Sequence, residues 1–201
     1  MKIAILGAKV IGGTLGRKWA KAGHEVVFGV RDLQNPEALE LASSLGARLA
    51  PVGEAIAFGE VVVFAVPGAA VEGIVRKHGA ALAGKIAVDA ANRMGGGPLN
   101  SAAAFAAHAP GALLFRAFST LGWENFENPR FGEVVADLFY CGATGAAQES
   151  FEVLVRDVGL EPVWLGGMEK AHLVDSMAEL WFTLAFARGK GRHVAFKTLM
   201  R

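Results

Sequence analysis

Short apolar runs recur along the chain, and most are separated by stretches of ten or more residues that are compatible with helices. The runs are Ile3–Leu6, Val26–Val30, Val61–Val66, Ile86–Val88, Leu113–Phe115, Leu138–Cys141 and Pro162–Leu165. Runs of this length, rich in β-branched residues, are typical of buried strands. Their alternation with helical stretches predicts an α/β fold with a doubly wound, mainly parallel sheet.

The first intervening helix has both of its ends marked in the sequence. Ile11, Leu15 and Trp19 are spaced by four residues and form one inward stripe, and Gly23 is suited to end the helix before the second strand. The further predicted helices are Pro36–Leu45, Ala69–His78, Ser101–His108 and Gly145–Val158.

The pattern changes near the carboxyl terminus, where Met168–Arg188 reads as a long amphipathic helix. We therefore expect one α/β domain over residues 1–165 and a helical extension over 166–201, packed on the same domain or on a dimer partner. Trp181, Phe182, Leu184 and Phe186 present more apolar surface than one contact face needs, so a homodimer through this helix is expected.

Composition narrows the class of protein. The chain has 201 residues, 53% of them hydrophobic, and a formal net charge of +1, which favours a globular protein and disfavours a nucleic-acid binder. Its single cysteine, Cys141, excludes an internal disulfide and a multi-thiolate metal site. The five histidines are dispersed without ligand spacing, so no metal is expected. No apolar run approaches the ~20 residues of a membrane helix, and a cytoplasmic location is expected by default.

A glycine-rich turn follows the first strand. In a G-x-G-x-x-G turn the middle glycine lets the backbone approach a pyrophosphate, and here the three positions are Gly7, Lys9 and Gly12. The Lys9 side chain must either point away from the pyrophosphate or place its ammonium beside the phosphates. The free N–H groups and the dipole of the helix that starts at Val10 still favour binding of an anion. The turn also nearly matches a nucleoside-triphosphate loop, but Gly13 stands where the essential lysine would be. A turn that binds nothing is the remaining alternative.

The end of the second strand indicates which dinucleotide is bound. NAD-binding units place an acidic residue there, whereas this chain has Val30 followed by Arg31, whose guanidinium can bind a 2′-phosphate. Asp32 could instead pair with Arg31 on the surface. NADP(H) is therefore the expected ligand.

With these residues in view, the chain resembles the small NADPH-dependent reductases grouped with deazaflavin-coenzyme:NADP oxidoreductase. It is also similar to the cytosolic reductase domain of the STEAP metalloreductases. Besides the first turn, the resemblance covers the segments Gly23–Arg31, Ala65–Pro67, Asp89–Asn92 and Phe118–Gly122.

The resemblance implies a Rossmann-type fold and a role for each matching position. The pyrophosphate would be held by Gly7, Ala8, Lys9, Val10, Ile11 and Gly12, the 2′-phosphate by Arg31, and the nicotinamide end by Ala65, Val66, Pro67 and Asn92. Two departures stand at contact points. Family members usually have glycine and asparagine where this chain has Lys9 and Val10, and an Ala-Phe-Asn motif where it has Ala117-Phe118-Ser119.

Hydride transfer to a flavin-like ring needs mainly proximity and orientation, so no catalytic side chain is expected. Ser119 and Trp123, the latter in a loop over Gly122–Gly132, are candidates for contact with the acceptor. The expected function is hydride transfer between NADP(H) and a flavin, deazaflavin or similar small acceptor. One alternative is a non-catalytic nucleotide-binding or redox-sensing protein. Another is a ketone or imine reductase using a proton donor such as His172, Asp175 or Glu179, although that spacing is more typical of a solvated face.

Overall fold

A computed structural model describes all residues from Met1 to Arg201 and contains ten strands. These are β1 (Lys2–Leu6), β2 (Glu25–Val30), β3 (Arg48–Pro51), β4 (Val61–Phe64), β5 (Ile86–Asp89), β6 (Leu113–Arg116), β7 (Arg130–Phe131), β8 (Val134–Val135), β9 (Asp137–Gly142) and β10 (Glu161–Trp164). Eight of them form one sheet in the order β10-β9-β6-β5-β4-β1-β2-β3, and β7 and β8 form a separate hairpin.

Seven α-helices lie between the strands, and an eighth follows the last strand. They are α1 (Val10–Lys21), α2 (Pro36–Ser44), α3 (Val52–Phe58), α4 (Gly68–His78), α5 (Ala102–His108), α6 (Trp123–Glu127), α7 (Ala146–Val158) and α8 (Ala171–Phe182). A 3₁₀ turn, Met168–Lys170, precedes α8 and a π-helical turn, Thr183–Ala187, follows it. The single helix predicted over Met168–Arg188 is thus divided into three segments of different winding. No helix of the chain has the length and hydrophobicity that crossing a membrane would require.

The predicted doubly wound, mainly parallel sheet is confirmed. Every pairing within the large sheet is parallel except that of β6 with β9, which is antiparallel. Between these two strands lie the five-residue α6 and the β7–β8 hairpin rather than a long crossover helix. A parallel return needs a connection that travels back along the sheet, so this segment brings the chain back in the opposite direction.

Alternate residues of the strands pack on opposite faces of the sheet. Ile3 and Ile5 belong to a cluster of 27 buried residues on one face, whereas Ala4 and Leu6 belong to a cluster of 15 on the other. The predicted stripe of α1 joins the first cluster, in which Leu15 and Trp19 are fully buried. Burial on both faces is what makes the strands read as continuous apolar runs.

Each of the seven predicted strands is observed, with ends displaced by at most two residues. The sequence pattern did not reveal β3 and α3, because β3 is an edge strand of four residues in which only Ala50 is buried. An edge strand with one buried side chain has no hydrophobic period to recognise. The predicted loop Gly122–Gly132 was wrong in part, since it contains α6 and β7.

The carboxyl-terminal residues pack on the rest of this chain. Asn125 donates hydrogen bonds to the carbonyl oxygens of Arg192 and Val194, and Trp181 Nε1 donates to Val194 O at 2.8 Å. Lys197 Nζ lies 2.7 Å from Asp137 Oδ1. The division into a domain of residues 1–165 and an extension of residues 166–201 stays a prediction.

Candidate functional site

The segments expected to bind the cofactor leave the carboxyl ends of five strands that are neighbours in the sheet. In spatial order they are Arg31 after β2, Gly7–Gly12 after β1, Ala65–Pro67 after β4, Asn92 beyond β5 and Ser119 beyond β6. The order of connections reverses between β1 and β4, and open α/β sheets bind ligands in the crevice at such a point. The fold therefore places the predicted positions along one edge of the sheet, in the spatial order that the parts of a dinucleotide would require.

The turn after β1 is tight because two of its glycines have no room for a side chain. Gly7 has φ +101°, and a Cβ there would lie 2.5 Å from the carbonyl oxygen of Ala65. A Cβ on Gly12 would lie 2.1 Å from the carbonyl oxygen of Gly7. The Gly7 N–H donates to Gly29 O at 2.9 Å, which fixes the turn against β2. The turn therefore presents backbone without side chains at Gly7 and Gly12, as a turn that binds pyrophosphate requires.

The start of α1 supplies positive charge at this turn. No side chain caps the helix and its first turn contains no acidic residue. Its first N–H groups therefore lack intrahelical partners, and the positive end of the helix dipole is exposed. Lys9 occupies the N-cap position with φ −85°, is exposed and forms no ion pair. Ala8 and Ile11 are half-buried and Val10 is exposed.

The guanidinium of Arg31 lies on the surface and is not paired with Asp32. No ion pair of the chain includes Arg31. Asp32 instead accepts a hydrogen bond from the backbone N–H of Gln34 at 2.9 Å, which stabilises a turn. The structure therefore does not contain the alternative surface ion pair between Arg31 and Asp32.

The loops after β4 and β5 touch each other. A Cβ on Gly68, the first residue of α4, would lie 2.6 Å from the backbone of Arg93 and from the carbonyl oxygen of Asn92. Ala65 and Val66 are half-buried, and Pro67 is exposed. These residues form a largely apolar wall beside Asn92, and an apolar wall is suited to the face of a nicotinamide ring.

A buried cation lies beneath Asn92. Arg116, the last residue of β6, is fully buried and forms ion pairs with Asp89 and Asp175. Its Nη2 donates to Asn92 Oδ1 at 2.5 Å, and Asn92 Nδ2 donates to Ser119 O at 3.2 Å. Burial raises the pKa of Asp89, although the guanidinium of Arg116 favours the ionised form. Asn92 is therefore held from both ends of its amide group.

The segment after β6 contains backbone strain and unsatisfied hydroxyl groups. Phe118 is the one non-glycine residue with a positive φ, +57°, and its ring is buried against Trp19 and Phe126. The hydroxyl groups of Ser119 and Thr120 are buried and have no hydrogen-bond partner, as is also true of Thr14. Strained backbone and buried unsatisfied groups are concentrated at functional sites.

Trp123, one of the two candidates for contact with the acceptor, is half-buried. It begins α6 and lines a cavity of about 560 Å³ together with Phe131 and His193. Ser119 is not among the residues that line this cavity. Contact of Ser119 and Trp123 with an acceptor stays a prediction.

The three candidate proton donors of α8 differ in burial. His172 and Glu179 are exposed, as a solvated face would be, but Asp175 is only 7% exposed, so the prediction of a solvated face was wrong for that residue. Its oxygens accept hydrogen bonds from Arg116 Nε and from Leu99 and Asn100. No group of three or more His, Cys, Asp or Glu side chains is arranged to hold a metal ion.

The sequence analysis assigned no role to Asp89 or Arg116, and it named Asp175 only as a candidate proton donor of the imine reductase alternative. One signal was present, because Asp89 and Arg116 are charged residues at the ends of otherwise apolar strands. Asp175 carried no such signal, since an acidic residue on an amphipathic helix is usually solvated.

The match to a known family covers the amino-terminal part of the chain. Residues 2–93 match the family described as NADP oxidoreductase coenzyme F420-dependent. These residues include the phosphate turn, Arg31, the Ala65–Pro67 segment and Asn92.

Solved structures share the fold over a larger part of the chain. A proposed F420-dependent NADP reductase from Arthrobacter sp. FB24 is 24% identical, with a TM-score of 0.86 and 100% of each chain covered. A hypothetical protein from Sinorhizobium meliloti is 26% identical, with a TM-score of 0.70, over 84% of this chain and 86% of the other.

A reductive aminase from Aspergillus terreus, in complex with NADPH4, cyclohexanone and allyl amine, is 25% identical with a TM-score of 0.69. The alignment covers 94% of this chain and 62% of that one. The family match confirms, over residues 2–93, the resemblance predicted from the sequence and indicates an NADP-dependent oxidoreductase. The shared fold confirms the Rossmann-type architecture.

Proposed function

We propose that the chain transfers a hydride between the nicotinamide of NADP(H) and a flavin, deazaflavin or similar small acceptor. The observation that carries the proposal is the order of groups along one edge of the sheet: a free guanidinium, a bare glycine turn, an apolar wall, an oriented amide and an unpartnered hydroxyl. The family match over residues 2–93 supports the same assignment.

Each predicted position has a distinct role in this proposal. The Arg31 guanidinium binds the 2′-phosphate, and the N–H groups at the start of α1 bind the pyrophosphate, with the Lys9 ammonium beside it. Ala65, Val66 and Pro67 exclude water from one face of the nicotinamide ring. Asn92 and the unpartnered Ser119 hydroxyl lie at the end where the acceptor approaches.

The chemistry requires positioning rather than a catalytic side chain. Reduced nicotinamide supplies two electrons and a proton as hydride, and the acceptor ring stores them. The protein contributes by holding the two rings in contact and by limiting access of water. Solvent supplies the additional proton that a reduced flavin requires.

Reduction of an imine or ketone is the second candidate, because neighbours in fold include a reductive aminase. That reaction needs a proton donor close to the substrate. Asp175 is unsuited to this role, since four hydrogen-bond donors are directed at its two oxygens. His172 is exposed, and its Nδ1 lies 3.0 Å from the carbonyl oxygen of Glu169. The arrangement of α8 therefore favours the flavin-type acceptor.

The test is a panel of acceptors. The protein is mixed with NADPH, and absorbance loss is followed with a flavin, a deazaflavin, a ferric complex and a cyclic imine. Turnover with a flavin or deazaflavin is the expected result. Turnover only with the imine would show that the protein is an imine reductase and not a flavin or deazaflavin reductase. Cofactor binding without any turnover would favour a nucleotide-binding or sensing role.

A homodimer through α8 is part of the proposal. Leu173, Leu180 and Phe186 lie on this part of the chain and are 41%, 45% and 56% exposed. Exposed apolar side chains grouped in this way are typical of a contact with a second copy. Light scattering at micromolar concentration should give twice the monomer mass of 21.0 kDa, and a value of 21.0 kDa would contradict the dimer.

A further inference from the structure

The guanidinium of Arg116 is bonded to the segment that leaves β5 at three points. Its Nη1 donates to the carbonyl oxygens of Asp89, at 3.2 Å, and Ala91, and its Nη2 donates to Asn92 Oδ1. Because Arg116 ends β6, these bonds join the exits of two adjacent strands. Because a planar guanidinium donates in several fixed directions, it sets both the position and the orientation of the segment to which it is bonded.

The connection continues from Asn92 to the segment after β6. Asn92 Nδ2 donates to Ser119 O, which directly follows the strained residue Phe118. The side-chain amide of Asn92 is therefore oriented by one bond to a buried cation and one bond to a backbone oxygen. A shift of Arg116 would move the expected nicotinamide contact and the expected acceptor contact together.

Asp175 anchors the same assembly from α8. Its Oδ1 accepts from Arg116 Nε at 3.1 Å, and its Oδ2 accepts from the backbone N–H groups of Leu99 and Asn100 at 3.0 and 3.1 Å. The loop between Asn92 and Asn100 is closed at its base by the bond from Arg93 N to Leu99 O at 2.9 Å. One carboxylate thus ties the helix, the loop and the guanidinium to each other.

A buried ion cluster of this kind is weak evidence of a purely stabilising role. Well-packed apolar residues of similar volume often give equal or greater stability, because they avoid the desolvation of charges. What apolar residues cannot supply is a fixed direction for the Asn92 amide and for the Ser119 carbonyl. The directional bonds are therefore the property that needs a functional explanation.

We propose that Arg116 and Asp175 are positioning residues that hold Asn92 and Ser119 in register for hydride transfer. The proposal rests on the proposed function, since it assumes that nicotinamide binds beside Asn92. It concerns one end of the cofactor only. None of the hydrogen bonds of Arg116 or Asp175 reaches Arg31 or the turn Gly7–Gly12, which would bind the other end.

The test separates the two ends of the cofactor. The principal variant is Asp175→Asn, in which an NH₂ group replaces one of the two accepting oxygens. This NH₂ group must face other donors, either those of Arg116 or the N–H groups of Leu99 and Asn100. Affinity for 2′-phospho-ADP-ribose, which lacks nicotinamide, is measured by calorimetry. The fluorescence anisotropy of NADPH at saturation then reports how firmly the reduced ring is held.

The matched control is Lys85→Met. Lys85 precedes β5, at the opposite edge of the sheet from the site, and its Nζ donates to the carbonyl oxygens of Ile56, Ala57 and Gly59. The control also removes a multiply bonded cation, so it reproduces a loss of stability without touching Asn92. Thermal unfolding of each protein shows how far stability has changed.

We expect Asp175→Asn to bind 2′-phospho-ADP-ribose like the wild type while the anisotropy of bound NADPH falls toward that of the free cofactor. The turnover number on whichever acceptor the wild type reduces should fall by about 10²-fold, as expected for a small displacement of reacting groups. The Lys85→Met protein should keep the wild-type anisotropy. Arg116→Lys should also lose the wild-type anisotropy, because an ammonium cannot form the several directed hydrogen bonds of the planar guanidinium.

An anisotropy equal to that of the wild type in Asp175→Asn would overturn the positioning role. If Asp175→Asn does not fold, Arg116→Lys serves instead, because it keeps a cation between Asp89 and Asp175 and loses the guanidinium bond to Asn92. A wild type that binds neither NADPH nor 2′-phospho-ADP-ribose would disprove the proposed function itself. A wild type that binds both, with variants identical to it, would disprove only this inference.

Discussion

Gly12 packs so closely against Gly7 that a Cβ on Gly12 would lie 2.1 Å from the carbonyl oxygen of Gly7. The obstructing atom belongs to the backbone of the phosphate turn, which is itself fixed by the bond from Gly7 N to Gly29 O. It cannot rotate away as a flexible side chain would. The third glycine of the turn is therefore required for the first turn of α1 to meet the end of β1.

Gly12→Ala should lower the free energy of unfolding by about 3 kcal/mol, because the added methyl group must displace the turn. The matched control is Gly73→Ala on α4, where a Cβ would have no neighbour within 4 Å. That change should stabilise the protein by about 0.5–1 kcal/mol, because alanine favours a helix. Denaturant unfolding of the two variants provides the measurement, and equal stability of both would contradict the close contact.

Arg31→Met should weaken NADP⁺ binding by about 10- to 100-fold, since hydrogen bonds to a charged group contribute about 1.5–3 kcal/mol. Binding of NAD⁺ should be unchanged, because it lacks the 2′-phosphate. Calorimetric titration with both dinucleotides measures the effect. Arg76→Met, at an exposed position in the last turn of α4, is the control for loss of one surface charge. A variant that retained its NADP⁺ affinity would exclude Arg31 from the phosphate site.

Lys9→Met distinguishes the two possible roles of the residue that replaces the middle glycine. Because Lys9 is exposed and unpaired, we expect its ammonium to lie beside the pyrophosphate. The variant should bind NADP⁺ and 2′-phospho-ADP-ribose about tenfold more weakly, or ~1.4 kcal/mol, and the loss should shrink as salt is added. Tighter binding by the variant would show that Lys9 obstructs the pyrophosphate.

The phosphate turn and Arg31 could be predicted from the sequence because their signals are local. The glycine spacing, the helix start and the end of β2 all lie within residues 7–31. Such signals depend on backbone geometry that a few neighbouring residues determine. The same holds for strands buried on both faces, whose apolar runs identify them directly.

The Arg116 cluster could not be predicted in this way. Its members come from β5, β6 and α8, and Asp175 is 59 positions from Arg116 along the chain. Each residue alone is compatible with a solvated surface, and only packing of α8 against the sheet removes that option for Asp175. The antiparallel course of β9 was hidden for a similar reason, because pairing direction depends on the connection and not on the strand itself.

Cys141 should be inert in the folded protein. Its side chain is fully buried, and burial raises the pKa of its thiol to about 11. Since the thiolate is the reactive form, a thiol of this kind remains protonated at pH 8. A disulfide reagent at that pH should give no colour with the folded chain and one equivalent after addition of denaturant. Rapid reaction before denaturation would contradict the burial.

Ser119→Ala should separate stability from activity. The Ser119 hydroxyl is buried without a hydrogen-bond partner, so its removal relieves an unsatisfied polar group and should leave the thermal midpoint unchanged or raise it. If the hydroxyl contacts the acceptor, kcat/KM for that acceptor should fall by about tenfold while NADP⁺ affinity stays constant. The control is Ser176→Ala, which removes an exposed hydroxyl bonded to His172 O at 2.9 Å and should change neither quantity. A fall in the midpoint of Ser119→Ala, with turnover preserved, would instead assign the hydroxyl a structural role.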